Sequence, residues 1–240
     1  MATSCIVGVS IAYFLFKKYN PNSNYNKIWD FSAYVLIIGI IGARLYYCLL
    51  NSSKYITNLP EIFNIREGGL SIHGALIFGI TALIFLAKHY KICAKKLLDV
   101  FACGTALAQS IGRWGNFFNS EAFGLPTDLP WKLYIPISQR PPEYIQYEYF
   151  HPTFLYESIL DIVIFTVLLF VLKKSANNVP GTTFFAYLIL YSIARILIET
   201  LRTDSVLNIH GIHFAHIVSI ITLLIGIIGI IYCRKFKQTR

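Results

Sequence analysis

The stretch FSAYVLIIGIIGARLYYCLL, Phe31–Leu50, decides the fold. It holds a single charged residue, Arg44, in a run of aliphatic, aromatic and small side chains. A helix needs about 20 residues to cross the roughly 30 Å hydrocarbon core of a bilayer. This run has that length and almost nothing in it that prefers water. Six further runs have the same character: Thr3–Phe16, Leu70–Ala87, Leu97–Gly112, Pro152–Leu172, Thr182–Leu201 and Phe214–Cys233. Thr3–Phe16 is short and Leu97–Gly112 is marginal; the other runs meet the length requirement.

Composition points the same way. Of 240 residues, 55% are hydrophobic and only 14% charged, against about 25% charged in soluble domains; the mean hydropathy is +0.56. The expected fold is an all-α integral membrane protein of about seven transmembrane helices, a single membrane-embedded domain over residues 1–240. The formal charge of +9 is explained by topology and not by nucleic acid. Lys17, Lys18 and Lys27 follow the first run, Lys88, Lys91, Lys95 and Lys96 the third, and Lys173 and Lys174 the fifth. Arg234, Lys235, Lys237 and Arg240 follow the seventh. The alternate segments hold fewer: Lys54, Arg66, Lys132, Arg140 and Arg202. By the positive-inside rule the N-terminus lies out and the C-terminus in. No internal repeat stands out. The largest outer segment, an outer-face loop at about residues 116–151, is rich in proline and tyrosine and too aromatic to read as disordered.

Cysteine usage adds no chemistry. Cys5, Cys48, Cys93, Cys103 and Cys233 lack C-x-x-C spacing, and all but Cys93 fall in apolar runs, where a thiol acts as a small hydrophobe. Neither a disulfide framework nor a zinc site is expected. The start lacks the basic region and cleavage pattern of a signal peptide.

The intramembrane charges are the functional signal, because an ionisable group inside a span costs at least about 2.5–3.5 kcal/mol. Arg44, Glu157, Asp161, Arg195 and Glu199 lie in apolar runs, Arg113 at a run's end, and His73 just inside the third run. With the topology above, His73, Arg113, Glu157, Glu199 and Arg202 come from four segments yet lie toward the outer side, as an outward-facing polar cavity requires. Tyr191, Arg195, Glu199 and Arg202 follow i, i+4, i+8, i+11 spacing, one face of a helix. Arg195 and Glu199 either neutralise each other or aim a guanidinium at a ligand while the glutamate holds it. Glu157 and Asp161, also four apart, are expected to serve structural pairing. In GRWGNFFNSEAFG (112–124), Arg113 and Asn116 share a face if the helix continues. An arginine at a membrane surface has an obvious partner in a lipid phosphate, which its planar fork grips at two points.

Several stretches together resemble one family, the prolipoprotein diacylglyceryl transferases of bacterial inner membranes. They are GARLYY (42–47), GGLSIHGA (68–75), GRWGNFFNSEAFG (112–124), RPPEY (140–144) with YFHPTFLYES (149–158), and YSIARILIETLRTDS (191–205). The R-x-x-N-x-x-x-x-E-x-x-G pattern of 112–124 is the most specific of these. The resemblance implies transfer of a diacylglyceryl group from phosphatidylglycerol to the lipobox cysteine thiol of a prolipoprotein signal peptide. The products are a thioether and glycerol 1-phosphate. It implies no metal or soluble cofactor, and a multi-pass enzyme working at the outer side of the inner membrane. By motif match Arg113 and Arg195 bind the phosphate, and Asn116 and Gly124 shape the headgroup site. Glu121 and Glu199 orient neighbours, and Tyr191 accompanies Arg195. His73 is the candidate general base, since imidazole suits thiol deprotonation near neutral pH; Glu121 or Glu199 could orient or activate the thiol instead.

Two departures from the family pattern stand out. The chain starts inside its first helix, so the R-x-Y-G-like element that precedes that helix in the family, with its functional tyrosine, is expected to be missing. His216 also stands where the family commonly has glutamine. Two other functions compete with this one. A transporter would place its charges near the midplane among inverted repeats, and neither pattern is present. An inactive relative would bind phosphatidylglycerol or a signal peptide without turnover.

Overall fold

The computed structural model describes all residues except 1, 58, 65–67, 204–207, 210–211 and 239–240. Arg66, Asp204, Ser205 and Arg240 lie outside the described residues, as do the side chains of Lys54 and Lys237. Eight α-helices are seen among the described residues: α1 (Ala2–Tyr19), α2 (Lys27–Leu50), α3 (Ser52–Thr57), α4 (Ile72–His89), α5 (Ala94–Asn119), α6 (Thr153–Ser175), α7 (Thr182–Glu199) and α8 (Phe214–Gln238). The short α3 apart, they correspond one to one with the seven apolar runs. Two antiparallel pairs of two-residue strands accompany them among the described residues: β1 (Leu133–Tyr134) with β2 (Tyr149–Phe150), and β3 (Asn208–Ile209) with β4 (Ile212–His213).

Among the described residues, five helices are long and apolar enough to cross a membrane: α2, α4, α6, α7 and most of α8. Their large side chains are turned outward, with Leu49, Phe85, Phe170, Ile228 and Ile231 all more than 60% exposed. In water such surface would aggregate; against lipid it is the contact face. Helix α5 misses the apolar threshold because it carries Lys95, Lys96, Asp99, Gln109, Arg113 and Asn116. Its 26 residues nevertheless reach about 39 Å.

The described residues form two compact units, Met1–Leu15 with Leu98–Arg240, and Phe16–Leu97. In the second, α2 packs on α4 through small residues. A Cβ on Gly42 would fall inside the Phe78 side chain, and one on Gly74 would strike the Gly42 carbonyl and Tyr46. Close backbone approach through small residues is how helices associate where burial of apolar surface gives no driving force. The first unit repeats the device between α1 and α5, where a Cβ on Gly8 would sit 2.8 Å from the Gly104 carbonyl oxygen. Helices α7 and α8 add a hydroxyl pair, Ser192 and Thr222, at 2.7 Å.

Helix α5 runs through the 112–124 motif as far as Asn119, several residues beyond the apolar run that announced it. It ends in a Schellman turn: Glu121 N–H donates to the Asn116 carbonyl at 2.9 Å and Ser120 N–H to that of Phe117 at 3.2 Å. This turn needs a left-handed residue, usually glycine, and here it is Ser120 with φ 54°. Beyond it, the loop forms its own small core from Phe123, Ile135 and Phe150, with Leu133 and Tyr144 against them. Arg140 ties this loop down by donating to the carbonyls of Ile135 and Ile145.

Candidate active site

Helices α5, α6 and α7 of the first unit, with Arg202 just beyond α7, bring six charged side chains together. Glu157 of α6 is the hub. Its Oε2 lies 2.5 Å from Arg113 Nη2 of α5, and its Oε1 lies 2.9 Å from Arg202 Nη1 and 3.8 Å from Arg195 Nη1. Arg195 Nη2 in turn meets Glu199 Oε2 at 2.6 Å, one helical turn along α7. Asp161, a turn below Glu157, stands 3.9 Å from Arg113 Nε. Three guanidiniums and three carboxylates balance formally, which makes such a cluster tolerable away from water.

The balance is not symmetric in exposure. The side chains of Glu157, Asp161 and Glu199 are 2–6% exposed, whereas Arg113 and Arg195 are 20% and 21% exposed. The carboxylates therefore form the floor and the guanidiniums the opening. Arg195 Nη1 is itself buried and makes no hydrogen bond to a described residue; the Glu157 carboxylate at 3.8 Å is its counter-charge. Arg113, Glu157, Asp161, Tyr191 and Arg195 line one small cleft, closed on its apolar side by Leu160, Ala194 and Ile198. Tyr191 stacks on Tyr187 with ring centres 5.8 Å apart, and the Tyr187 hydroxyl donates to Gln109 Oε1 at 2.9 Å.

Register brings these groups to one depth. Asp99, fully buried in α5, accepts from Gly181 N–H at 2.7 Å and Phe184 N–H at 2.8 Å, capping the start of α7. A carboxylate at a helix N-terminus satisfies orphan donors and favours the dipole. Arg113 lies fourteen residues after Asp99, and Arg195 fourteen after Gly181, so each is carried about 21 Å from the shared anchor. Ser158 fixes α6 beside α5 by donating to the Ser110 carbonyl at 2.9 Å, one turn before Arg113.

The remaining motif residues are placed as follows. Asn116, half-buried, follows Arg113 by three residues on the continuous helix. Gly124 sits where three segments meet: a Cβ there would be 2.7 Å from the Leu201 carbonyl oxygen, 2.8 Å from His151 Cβ and 2.9 Å from Thr153 Cγ2. Its backbone bridges to Arg202, so the small residue lets the Arg202 segment close onto the cluster. Glu121 is exposed and makes no ion pair among the described residues. His73 belongs to the other unit, in the first turn of α4, with its ring centre 6.3 Å from that of Tyr46.

Sequence reasoning singled out Arg113, Arg195 and Glu199 and noticed Glu157 and Arg202, but it could not name Glu157 as the shared partner. It passed over Asp99 altogether. The signal was available, since an acid inside an apolar run is a functional candidate by default.

These features define a helical membrane protein with a cleft lined by arginines and carboxylates where α5, α6 and α7 meet. The chain belongs to the prolipoprotein diacylglyceryl transferase family, whose model matches residues 1–232. It is 46% identical to a phosphatidylglycerol–prolipoprotein diacylglyceryl transferase of Nostoc sp. over 211 residues, 86% of this chain and 74% of the relative. The enzyme of that name from Thermosynechococcus vestitus is 46% identical over 75% of this chain and 68% of its own. That of Prochlorococcus marinus is 42% identical over 85% and 74%.

Proposed function

We propose that this protein transfers the diacylglyceryl group of phosphatidylglycerol to the lipobox cysteine thiol of prolipoproteins. The bond between the glycerol carbon and the phosphate oxygen breaks, the thiolate sulfur takes that carbon, and glycerol 1-phosphate leaves. The observation that carries this reading is the inverted exposure of the cluster: two guanidiniums at the mouth, with their counter-charges buried behind them. Relatives sharing most of the chain carry the name of this reaction.

Arg113 and Arg195 take the phosphate, and their fixed charge stabilises the departing anion with no reorganisation at the moment of transfer. Glu157 and Glu199 hold the two guanidiniums in place. Asn116 and Gly124 shape the headgroup site, and Tyr191 forms its wall below Arg195. The thiol must lose its proton to become a nucleophile. His73 is the proposed base, since an imidazole side chain is chemically suited to taking the proton of a thiol. Glu199 is engaged by Arg195, and Glu121 stands outside the ion-pair cluster, which fits orienting roles better than proton transfer. Both units serve one transferase domain. The protein acts in a bacterial inner membrane, and the distribution of its basic segments supports a cleft turned toward the outer side.

Reconstitution with phosphatidylglycerol vesicles and a lipobox peptide tests the reading. Mass spectrometry should show the diacylglyceryl thioether, and Arg113→Ala and Asn116→Ala should abolish it while both variants still insert. Normal product from either variant would remove that residue from the headgroup site.

A further inference from the structure

Arg44 is the one charge in the run that decides the fold, and it does not resemble the arginines of the cleft. It is 6% exposed, and each of its five N–H donors meets a main-chain carbonyl of its own unit. Nε donates to Ile62 at 2.8 Å, Nη1 to Gly68 at 2.8 Å and Gly69 at 3.0 Å, and Nη2 to Glu61 at 2.6 Å and Asn64 at 2.9 Å. Five is the full donor complement of a guanidinium, so none remains for a phosphate. Tyr47 and Tyr55 flank the group, their ring centres 6.0 and 5.2 Å from Cζ. The backbone around it is shaped to fit: Gly68 and Gly69 have φ of 88° and 75°, which turns consecutive carbonyls onto one nitrogen. A Cβ on Gly69 would lie 2.5 Å from Nη1.

The segment so gathered leads directly into GGLSIHGA. Ser71 N–H donates to the Ala43 carbonyl at 3.0 Å, α4 begins at Ile72, and Gly74 rests on Gly42 and Tyr46. His73 lies between these two fixed points. We infer that Arg44 is a positioning residue of the transferase: its guanidinium gathers the carbonyls of Glu61, Ile62 and Asn64 with those of Gly68 and Gly69, and thereby sets where α4 starts and where His73 stands. This rests on the proposed role of His73 as base. Lysine cannot substitute, because an ammonium has three donors in no fixed plane and would leave carbonyls without partners.

The test uses the full chain in phosphatidylglycerol-containing nanodiscs, comparing wild type with Arg44→Lys, Gly69→Ala and His73→Asn. A misplaced catalytic group costs about 10–100-fold in rate, so Arg44→Lys and Gly69→Ala should lose that much kcat. Their KM for phosphatidylglycerol should stay within about twofold, because the phosphate cleft is untouched. Amide exchange at 68–76 should speed up about tenfold or more while 105–119 stays as in wild type. The inference is overturned if Arg44→Lys keeps its kcat, if KM rises by the factor that kcat falls, or if exchange rises equally in both segments. Full turnover by His73→Asn would instead remove the base assignment, and the exchange data alone would then decide whether Arg44 gathers the segment.

Discussion

Glu157 is a single carboxylate within 4 Å of three arginines. A buried ion pair adds little net stability when complete, but removing one partner strands the other and costs about 3–5 kcal/mol. Glu157→Gln is isosteric, so its effect isolates the charge. It should destabilise the protein by about 3–5 kcal/mol, read as a lower melting temperature in detergent. Three guanidiniums facing two carboxylates leave one positive charge in excess, and the cluster should bind an anion more tightly. Phosphatidylglycerol should therefore raise the melting temperature of Glu157→Gln by more than that of wild type. An equal or smaller rise would mean that the lipid phosphate does not meet these arginines. Legibility at this scale follows sequence distance. Arg195 and Glu199 are paired by helical spacing alone, and the structure pairs them at 2.6 Å. Arg113 and Glu157 are 44 positions apart, and their contact depends on how α5 packs on α6, which no local spacing encodes.

Helices α5 and α7 act as two rods joined near one end, each carrying an arginine fourteen residues from the join. The join is Asp99, whose two oxygens accept the first free N–H groups of α7, and the far ends carry Arg113 and Arg195. Loss of the carboxylate leaves those donors without partners and frees α7 to slide or turn, and a one-residue shift would rotate Arg195 by about 100°. Asp99→Ala should cost about 2–4 kcal/mol, the loss of hydrogen bonds to a charged group, and should lower transfer as well. Asp99→Asn keeps one acceptor and should fall between the two. A melting temperature for Asp99→Ala equal to wild type would show that packing alone holds the register. A second element-scale feature is the end of α5, where Ser120 occupies a left-handed conformation that costs a non-glycine residue about 1–2 kcal/mol. Ser120→Gly should raise the melting temperature in detergent, and an unchanged value would show that the turn carries no such cost. The full extent of α5 was illegible in the sequence for the same reason that it matters. Hydropathy marks where a helix meets lipid, and α5 continues past that boundary on polar and aromatic residues.

For the whole molecule, the apolar runs were legible because the thickness of the bilayer sets a length that soluble folds have no reason to respect. The exceptions are instructive: α5 falls short in hydropathy because it carries Asp99, Gln109, Arg113 and Asn116, so the helix hardest to read is the one that builds the site. The division into two compact units had no sequence signal, since it falls within α1 and α5 and not at a linker. Orientation rests on charge, and it can be measured with residues already present or easily added. Cys93 is exposed in the short connection between α4 and α5, among Lys88, Lys91, Lys95 and Lys96. Asp128 is fully exposed in the segment after α5. The basic connection should face the cytoplasm, and the two sites stand at opposite ends of α5, about 39 Å of helix apart. In a chain cleared of other cysteines, Asp128→Cys should react with a membrane-impermeant maleimide on intact spheroplasts. Cys93 alone should react only after permeabilisation. The reverse pattern would put the arginine cleft on the cytoplasmic side, away from any exported signal peptide, and would remove the proposed thiol acceptor from reach.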